Sequence, residues 1–344
     1  DSYDPEGRVF IHRDGSLGLA WSLGMKDTEI MGPEDLGALA ARFSEFFKLL
    51  PAGSAGQFIL GAERNIEEAL GAFRNVGGAS SSTLESLFEA HAQMLRTLSI
   101  PHGGPRFTGR TLELTFTLRI FPDLGSGEHS LRETYAREKT RLLEVASAIE
   151  GFFTQLPLLN QRLGADELVG LLYKKLNPRR AKETGPRHYR DDLPIRDQVV
   201  RSALRFDYDT GLIDCEGLHS KVLSMVQIPL ETSPGMLSRP ARAGVGLLDL
   251  IPEATLVLNF KVLDDSEMRT RFEKRDAFAW RQLQGPRKKL EVVKIKEESE
   301  AALDSLQNGE RALALRFHVV LSDPSPERLQ EQARKARRGR SFFR

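Results

Sequence analysis

One alternating stretch constrains this chain more than any other. Leu112, Leu114, Phe116, Leu118 and Ile120 alternate with Glu113, Thr115, Thr117 and Arg119. Period 2 with one polar face specifies a half-buried strand, antiparallel to a neighbour. The same phase returns 201 residues later in Leu313, Leu315, Phe317 and Val319. At that offset Leu49-Leu50-Pro51 meets Leu250-Ile251-Pro252, and Phe46-Phe47 meets Leu247-Leu248. A helix end, a proline and a strand phase that agree at one long spacing point to a duplicated unit. The opening hairpin finds its counterpart in Asp209-Thr210-Gly211-Leu212 only with an indel of six, and the strand Thr255 to Leu263 needs a slip of one.

Local patterns fill in the unit. Val9 and Ile11, the turn Asp14-Gly15-Ser16, then Leu17, Leu19 and Trp21 read as two strands of a hairpin. Pro33 suits a first helical position, and Leu36, Leu39, Phe43, Phe46 and Leu50 follow helical spacing until Pro51 and Gly53 end the helix. Gln57 to Gly61 reads as a strand. Ser82 and Glu85 form a capping box for a helix carrying Leu84, Leu87, Phe88, Leu95 and Leu98. A long helix is expected from Glu128 to Leu156, a shorter one from Asp166 to Leu176, and a polar connector from Arg179 to Asp192.

The expected fold class is therefore α+β: mixed, mainly antiparallel sheets packed with helices, an internally duplicated β-β-α-β-α-β unit and a helical insertion. The corresponding division is 1–125 for the first repeat, 126–192 for the insertion and connector, 193–323 for the second repeat, and 324–344 for a basic helical tail or linker toward a missing domain. At 344 residues the chain is long enough for two cores. Its 40% hydrophobic and 28% charged composition excludes bulk disorder. Core burial is expected for both tryptophans, Trp21 and Trp280.

Charge and motif content exclude several functions. A net charge of +1 gives no whole-protein field for gathering nucleic acid or acidic substrate. The lone Cys215 cannot form an intramolecular disulfide and fits a reducing compartment. The longest uncharged run, Leu49 to Ala62, is broken by Pro51, Gly53 and Gly56 and falls short of the ~20 apolar residues that span a bilayer. None of the fourteen lysines follows a glycine, so no GxxxxGK[ST] phosphate loop is present. Val257 to Asp265 imitates the strand and terminal acid that hold a magnesium water, but Lys261 sits within it and the loop is missing, so it reads as a core strand ending in a turn. Asp207-Tyr208-Asp209-Thr210-Gly211 fails as a calcium loop because Leu218 stands at the twelfth position; it reads as a hairpin turn. No two histidines share the i,i+4 spacing of a zinc site, and His91, on the apolar side of its helix, reads as a packed core residue. No GxSxG elbow exists, and Cys215 lies beside Glu216 rather than a cation.

Two basic clusters stand out. Arg334, Lys335, Arg337, Arg338, Arg340 and Arg344 occur with no acid from position 334 onward, a footprint for phosphate, anionic lipid or a partner protein, or else a solvated helix end. Arg179, Arg180, Lys182, Arg187, His188 and Arg190 are followed at once by Asp191 and Asp192, with only Tyr189 as a stacking platform, and read as a solvated connector or a protein contact.

Certain turn and helix-end signals carry a family resemblance. Tyr3-Asp4-Pro5 leading to Phe10, then Asp14-Gly15-Ser16-Leu17-Gly18, the helix ending at Leu176-Asn177-Pro178, and Arg205 to Leu212 resemble the N-terminal region of the TraC-type ATPases of F-type conjugative type IV secretion systems. The resemblance implies a mixed α/β region preceding a P-loop motor, in an ATPase that is cytoplasmic and peripheral at the inner membrane and powers pilus assembly and transfer. With no P-loop here, no nucleotide-binding residue carries over. ATP and magnesium are expected only in the motor domain, and no cofactor, metal or catalytic residue is expected in this chain. The first residue, Asp1, and the basic exit at 334–344 agree with an excised N-terminal region. The expected role is non-catalytic docking and assembly, with inner-membrane complex proteins and neighbouring subunits as partners. The alternative is a nucleic-acid-binding module that uses the basic C-terminal tail.

Overall fold

A computed structural model describes residues 2–24, 31–63, 70, 82–99, 111–120, 131–156, 158, 160–177, 180, 188–226, 254–284 and 290–339. The chain divides into two compact units, each assembled from interleaved segments. The first comprises 1–58, 115–201 and 258–316; the second comprises 59–114, 202–257 and 317–344. Four of the five boundaries fall within long strands, and the fifth lies between 201 and 202.

In the first unit, β1 (Ser2–Asp4), β2 (Val9–Ile11) and β3 (Leu17–Leu23) form the opening antiparallel ribbon, with Phe10 opposite Gly18. Helix α1 (Pro33–Lys48) leads to β4 (Ala55–Glu63), and β5 (Thr111–Ile120) follows α2 (Ser82–Ser99), a helix of the second unit. Helix α3 (Leu131–Gln155), β6 (Asn160–Arg162), α4 (Ala165–Leu176) and α5 (Ile195–Val199) follow. The strand order in this unit is β1-β2-β3-β5-β4-β10-β11, where β10 is Ala254–Val262 and β11 is Leu313–Asp323; β6 pairs with β3.

Aromatic side chains form the centre of this unit. The ring of Phe116 lies 4.7 Å from Phe58, 5.3 Å from Trp21 and 5.5 Å from Phe46. Helix α3 adds Leu142, Ala146, Ile149 and Phe153, all fully buried at helical spacing. Trp21 keeps its polar edge satisfied by donating Nε1–H to Glu150 Oε1 at 2.8 Å, an oxygen that also accepts from Arg162 Nε at 2.8 Å. Tyr135 Oη and Lys139 Nζ both reach Asp4 Oδ2, at 2.5 and 2.6 Å, and tie β1 to α3. Buried Asn177 ends α4: its Nδ2 donates to Tyr173 O (3.0 Å) and Val199 O (2.6 Å), and its Oδ1 accepts from Arg201 N (3.1 Å).

The second unit has the order β5-β4-β10-β11-β9-β8-β7, where β7 is Leu204–Asp207, β8 Leu212–Cys215 and β9 Leu218–Ser224. Thus β3-β5-β4 in the first unit is matched by β9-β11-β10 in the second. Each copy has a hairpin strand next to its last strand, and that last strand next to its middle one, as a duplicated unit requires. Among the described residues, α2 and the helical Leu70 lie between β4 and β5, while α6 (Asp265–Leu283) and α7 (Leu290–Gln307), both of the first unit, lie between β10 and β11. The counterpart expected for α1, at Leu247-Leu248 to Pro252, lies outside the described residues, as do Glu128 and, of the second basic cluster, Arg179, Lys182 and Arg187.

Helices α6 and α7 pack on each other through Met268, Ala279, Val292 and Ser299, with an Arg275–Glu298 ion pair at 2.7 Å. Trp280 flanks this seam at 54% exposure. Its expected burial is therefore corrected: the small Ala279 holds the seam, and residue 280 turns 100° away from it. His91 is exposed too, while its neighbour Ala92 is fully buried.

Candidate partner interface

The basic cluster lies on helix α8 (Pro326–Gly339). Its start is fixed by Asp323, whose Oδ1 accepts from Ser325 N at 2.8 Å, and by Ser325, whose hydroxyl accepts from Arg328 N at 3.3 Å. The same hydroxyl donates to Glu327, which holds that carboxyl below its usual range. Leu329, Ala333 and Ala336 recur at 3–4 spacing and are buried in the core of the second unit with Leu212, Leu223, Leu256, Val319 and Leu321. Arg334, Lys335 and Arg337 occupy the outer side and are exposed. Lys335 pairs with Glu331 at 2.7 Å and draws that carboxyl's pKa down, so part of the positive charge is already neutralised. The Arg338 side chain and all of Arg340 lie outside the described residues.

A surface that the sequence did not single out occupies the opposite face of the same sheet. Asp207 pairs with Leu212 and so shares the core face; Phe206 pairs with Ile213, which pairs with Ser220, on the other face. Leu204 and Val222 share that outer face by strand alternation. Exposures are 43% for Leu204, 55% for Phe206 and 44% for Val222, and Tyr208 in the following turn reaches 92%. Ser220 and Ser322 hydrogen-bond across it at 2.9 Å, as do Ser224 and His318. Large apolar groups on ordered strands, rimmed by small polar ones, mark an interaction surface more than scattered single residues do. The alternation Leu204-Arg205-Phe206-Asp207 was a usable signal for a strand. What it lacked was any sign of which face remained uncovered.

The turn after β7 is closed by hydrogen bonds to one carboxylate. Asp207 accepts from Asp209 N (3.0 Å) and Thr210 N (3.3 Å) and from the Thr210 hydroxyl, which lowers its pKa. Gly211 completes the turn at φ +67°, in the left-handed region that favours glycine. This is the hairpin expected from the failed calcium spacing.

The remaining chemistry is sparse. Cys215 is buried beside Ser202, and burial pushes its thiol upward, away from nucleophilic character. Burial, then Arg119, lowers His12. Among the described residues, no group of three or more His, Cys, Asp or Glu side chains is placed to hold a metal ion, and no helix is long and apolar enough to cross a membrane. A depression of about 460 Å³ lined by Arg42, Glu45, Phe152, Gln155 and Leu156 brings together one cation and one carboxylate without a nucleophile.

The fold and its surfaces define a duplicated α+β scaffold with apolar groups displayed on strands. The family model described as TraC protein matches residues 1–339, nearly the whole chain. The chain therefore belongs to the TraC family of F-type conjugative systems and is a conjugative type IV secretion component. No individual curated protein matches it.

Proposed function

We propose that this chain is a non-catalytic docking and assembly region of a conjugation ATPase, binding inner-membrane complex proteins and neighbouring subunits from the cytoplasmic side. The carrying observation is the outer face of the second unit's sheet, where Leu204, Phe206 and Val222 stand exposed on regular strands. Such groups gain free energy by leaving water, at ~25 cal/mol per Å² of apolar area, and a partner surface supplies that burial. The family match adds the setting of conjugative secretion. In this reading the chain needs no cofactor of its own. ATP and magnesium act in a motor domain, and the exposed Arg334 and Arg337 tune the rate of encounter.

Two measurements test it. Calorimetry and a phosphate-release assay with ATP and magnesium are expected to show neither binding nor turnover by the purified chain. Co-purification with co-expressed inner-membrane components of the same conjugative system is expected to succeed and to fail for Phe206→Arg. Saturable hydrolysis, or loss of all partner binding in the unaltered chain, overturns the reading.

A further inference from the structure

The docking reading says that partners bind, and the edge of the sheet says how one of them does. β7 is the last strand in its order, and among the described residues no strand lies beyond it. All four of its residues are exposed. The Asp207 carbonyl turns inward to accept from Gly211 N at 2.8 Å. Alternation along the strand therefore points the backbone N–H and C=O of Phe206 and Leu204 outward, away from β8. An edge of this kind is a template for another strand.

The side chains select that strand. In an antiparallel pairing of β7 with itself, a two-fold axis at Phe206 places Arg205 opposite Asp207 of the other copy, twice. It also places Phe206 against Phe206 and Leu204 against Tyr208. A register displaced by one residue either way sets Arg205 against Phe206 or Phe206 against Asp207 and forfeits both charge pairs. Within its own chain Arg205 faces Asp214 across the ladder without an ion pair to it, and Asp207, whose oxygens accept hydrogen bonds from its own turn, remains exposed on the edge strand. Arg205 makes no ion pair among the described residues. Its charge and that of Asp207, two residues apart, are self-complementary across a dyad, as an isologous contact requires.

We propose that β7 pairs with β7 of a second copy of this chain, antiparallel and two-fold symmetric about Phe206, joining two sheets edge to edge. This rests on the docking reading above and assigns one of its partners. An aromatic side chain buries ~150–250 Å² when covered, so the two Phe206 and two Tyr208 side chains contribute several hundred Å², less than the ~1,200 Å² of a stable stand-alone interface. The contact is weak and concentration-dependent, and it gains strength where neighbouring subunits are already held close.

Sedimentation velocity over a concentration series tests the register. The unaltered chain is expected to self-associate in the high-micromolar range. Arg205→Glu and Asp207→Lys, each alone, replace both attractive pairs with like charges and are expected to weaken association about tenfold or more. Mixed together the two variants are again complementary. The glutamate introduced at 205 in one faces the lysine introduced at 207 in the other, the native Asp207 faces the native Arg205, and association is expected to return. Because Asp207 also holds the turn, hydrogen exchange of the unaltered chain supplies a second readout. The Leu204 and Phe206 amides are expected to gain protection as concentration rises. Association that ignores the charge reversals, or unchanged exchange at these amides, overturns the pairing. A chain that stays monomeric yet still binds inner-membrane components also overturns it, and leaves the docking reading standing.

Discussion

Gly56 on β4 is the most informative place to disturb the packing. Val262 N donates to Ser54 O at 2.8 Å, and Gln57 Nε2 donates to Asn259 Oδ1 at 2.6 Å, a register that sets Gly56 against Phe260 of β10. A Cβ added at Gly56 falls into that ring, nearest Cζ and 2.6 Å from Cε1. The ring cannot swing away freely, because Phe260 is buried and its centroid lies 5.3 Å from Phe47 and 6.3 Å from Phe116. Gly56→Ala is therefore expected to destabilise by ~1–3 kcal/mol through overpacking, partly offset by ~0.4–1 kcal/mol from a stiffer unfolded chain. Phe260→Ala leaves a cavity and is expected to cost ~3–5 kcal/mol. The decisive quantity is the double variant. With the ring gone the new methyl has room, so Gly56→Ala is expected to turn neutral or stabilising in the Phe260→Ala background, a coupling of ~1–3 kcal/mol. Urea unfolding followed by Trp21 fluorescence, with Trp280→Phe removing the only other tryptophan, reports on this core. An equal cost of Gly56→Ala in both backgrounds would refute the argument that this glycine exists to seat the ring.

Three further outcomes follow from the same geometry. Asn177→Ala strands the Val199 carbonyl and the Arg201 N–H, while Tyr173 O keeps the backbone N–H of residue 177, and is expected to cost ~2–4 kcal/mol by chemical denaturation, whereas Asn160→Ala at a half-exposed position is expected to cost far less. The Ser16 hydroxyl, then Arg119, holds the Asp14 carboxyl well below its usual range of about 3.8. A depressed carboxylate stabilises above its unfolded value and loses that contribution as pH falls through the folded one, so Asp14→Asn is expected to narrow the stability difference between pH ~7 and pH ~3. An unchanged difference refutes that role. Leu329→Ala is expected to cost ~2–5 kcal/mol and to loosen α8, seen as lost helical circular dichroism before the main transition; a single unshifted transition counts against α8 as part of the core.

The elements most legible from sequence were those whose periodicity and punctuation agree. Pro33 and Pro51 bracket α1, alternation alone places β5, and Asp14-Gly15-Ser16 turns β2 into β3. The matching strand orders β3-β5-β4 and β9-β11-β10 could be anticipated from a shared strand phase, because equivalent positions in equivalent strands need the same face buried. Coverage was harder to read. Phe206 and Phe116 sit in equally regular alternations, yet one is half exposed and the other fully buried. The difference lies in whether a helix distant in sequence comes to rest on that face. Trp280 failed for a related reason: in a two-helix seam the buried stripe is narrow, and Ala279 rather than the largest apolar residue occupies it. For the basic cluster, composition gave the charge but not the buried stripe of Leu329, Ala333 and Ala336 that orients it.

The interleaving of segments in the first unit has a consequence for how the chain is made. Its central strands come from opposite ends of the sequence: Gln57 bonds to Asn259, 202 residues away. Synthesis adds ~5–20 residues per second, so β4 emerges with its apolar edge and waits on the order of ten seconds or more for β10 to leave the ribosome. Contacts this distant close slowly and leave strand edges open meanwhile. Expression of shortened chains ending before residue 258 is thus expected to yield aggregation rather than a smaller folded unit, and folding in the cell is expected to lean on chaperones that shield β4 until its partner arrives.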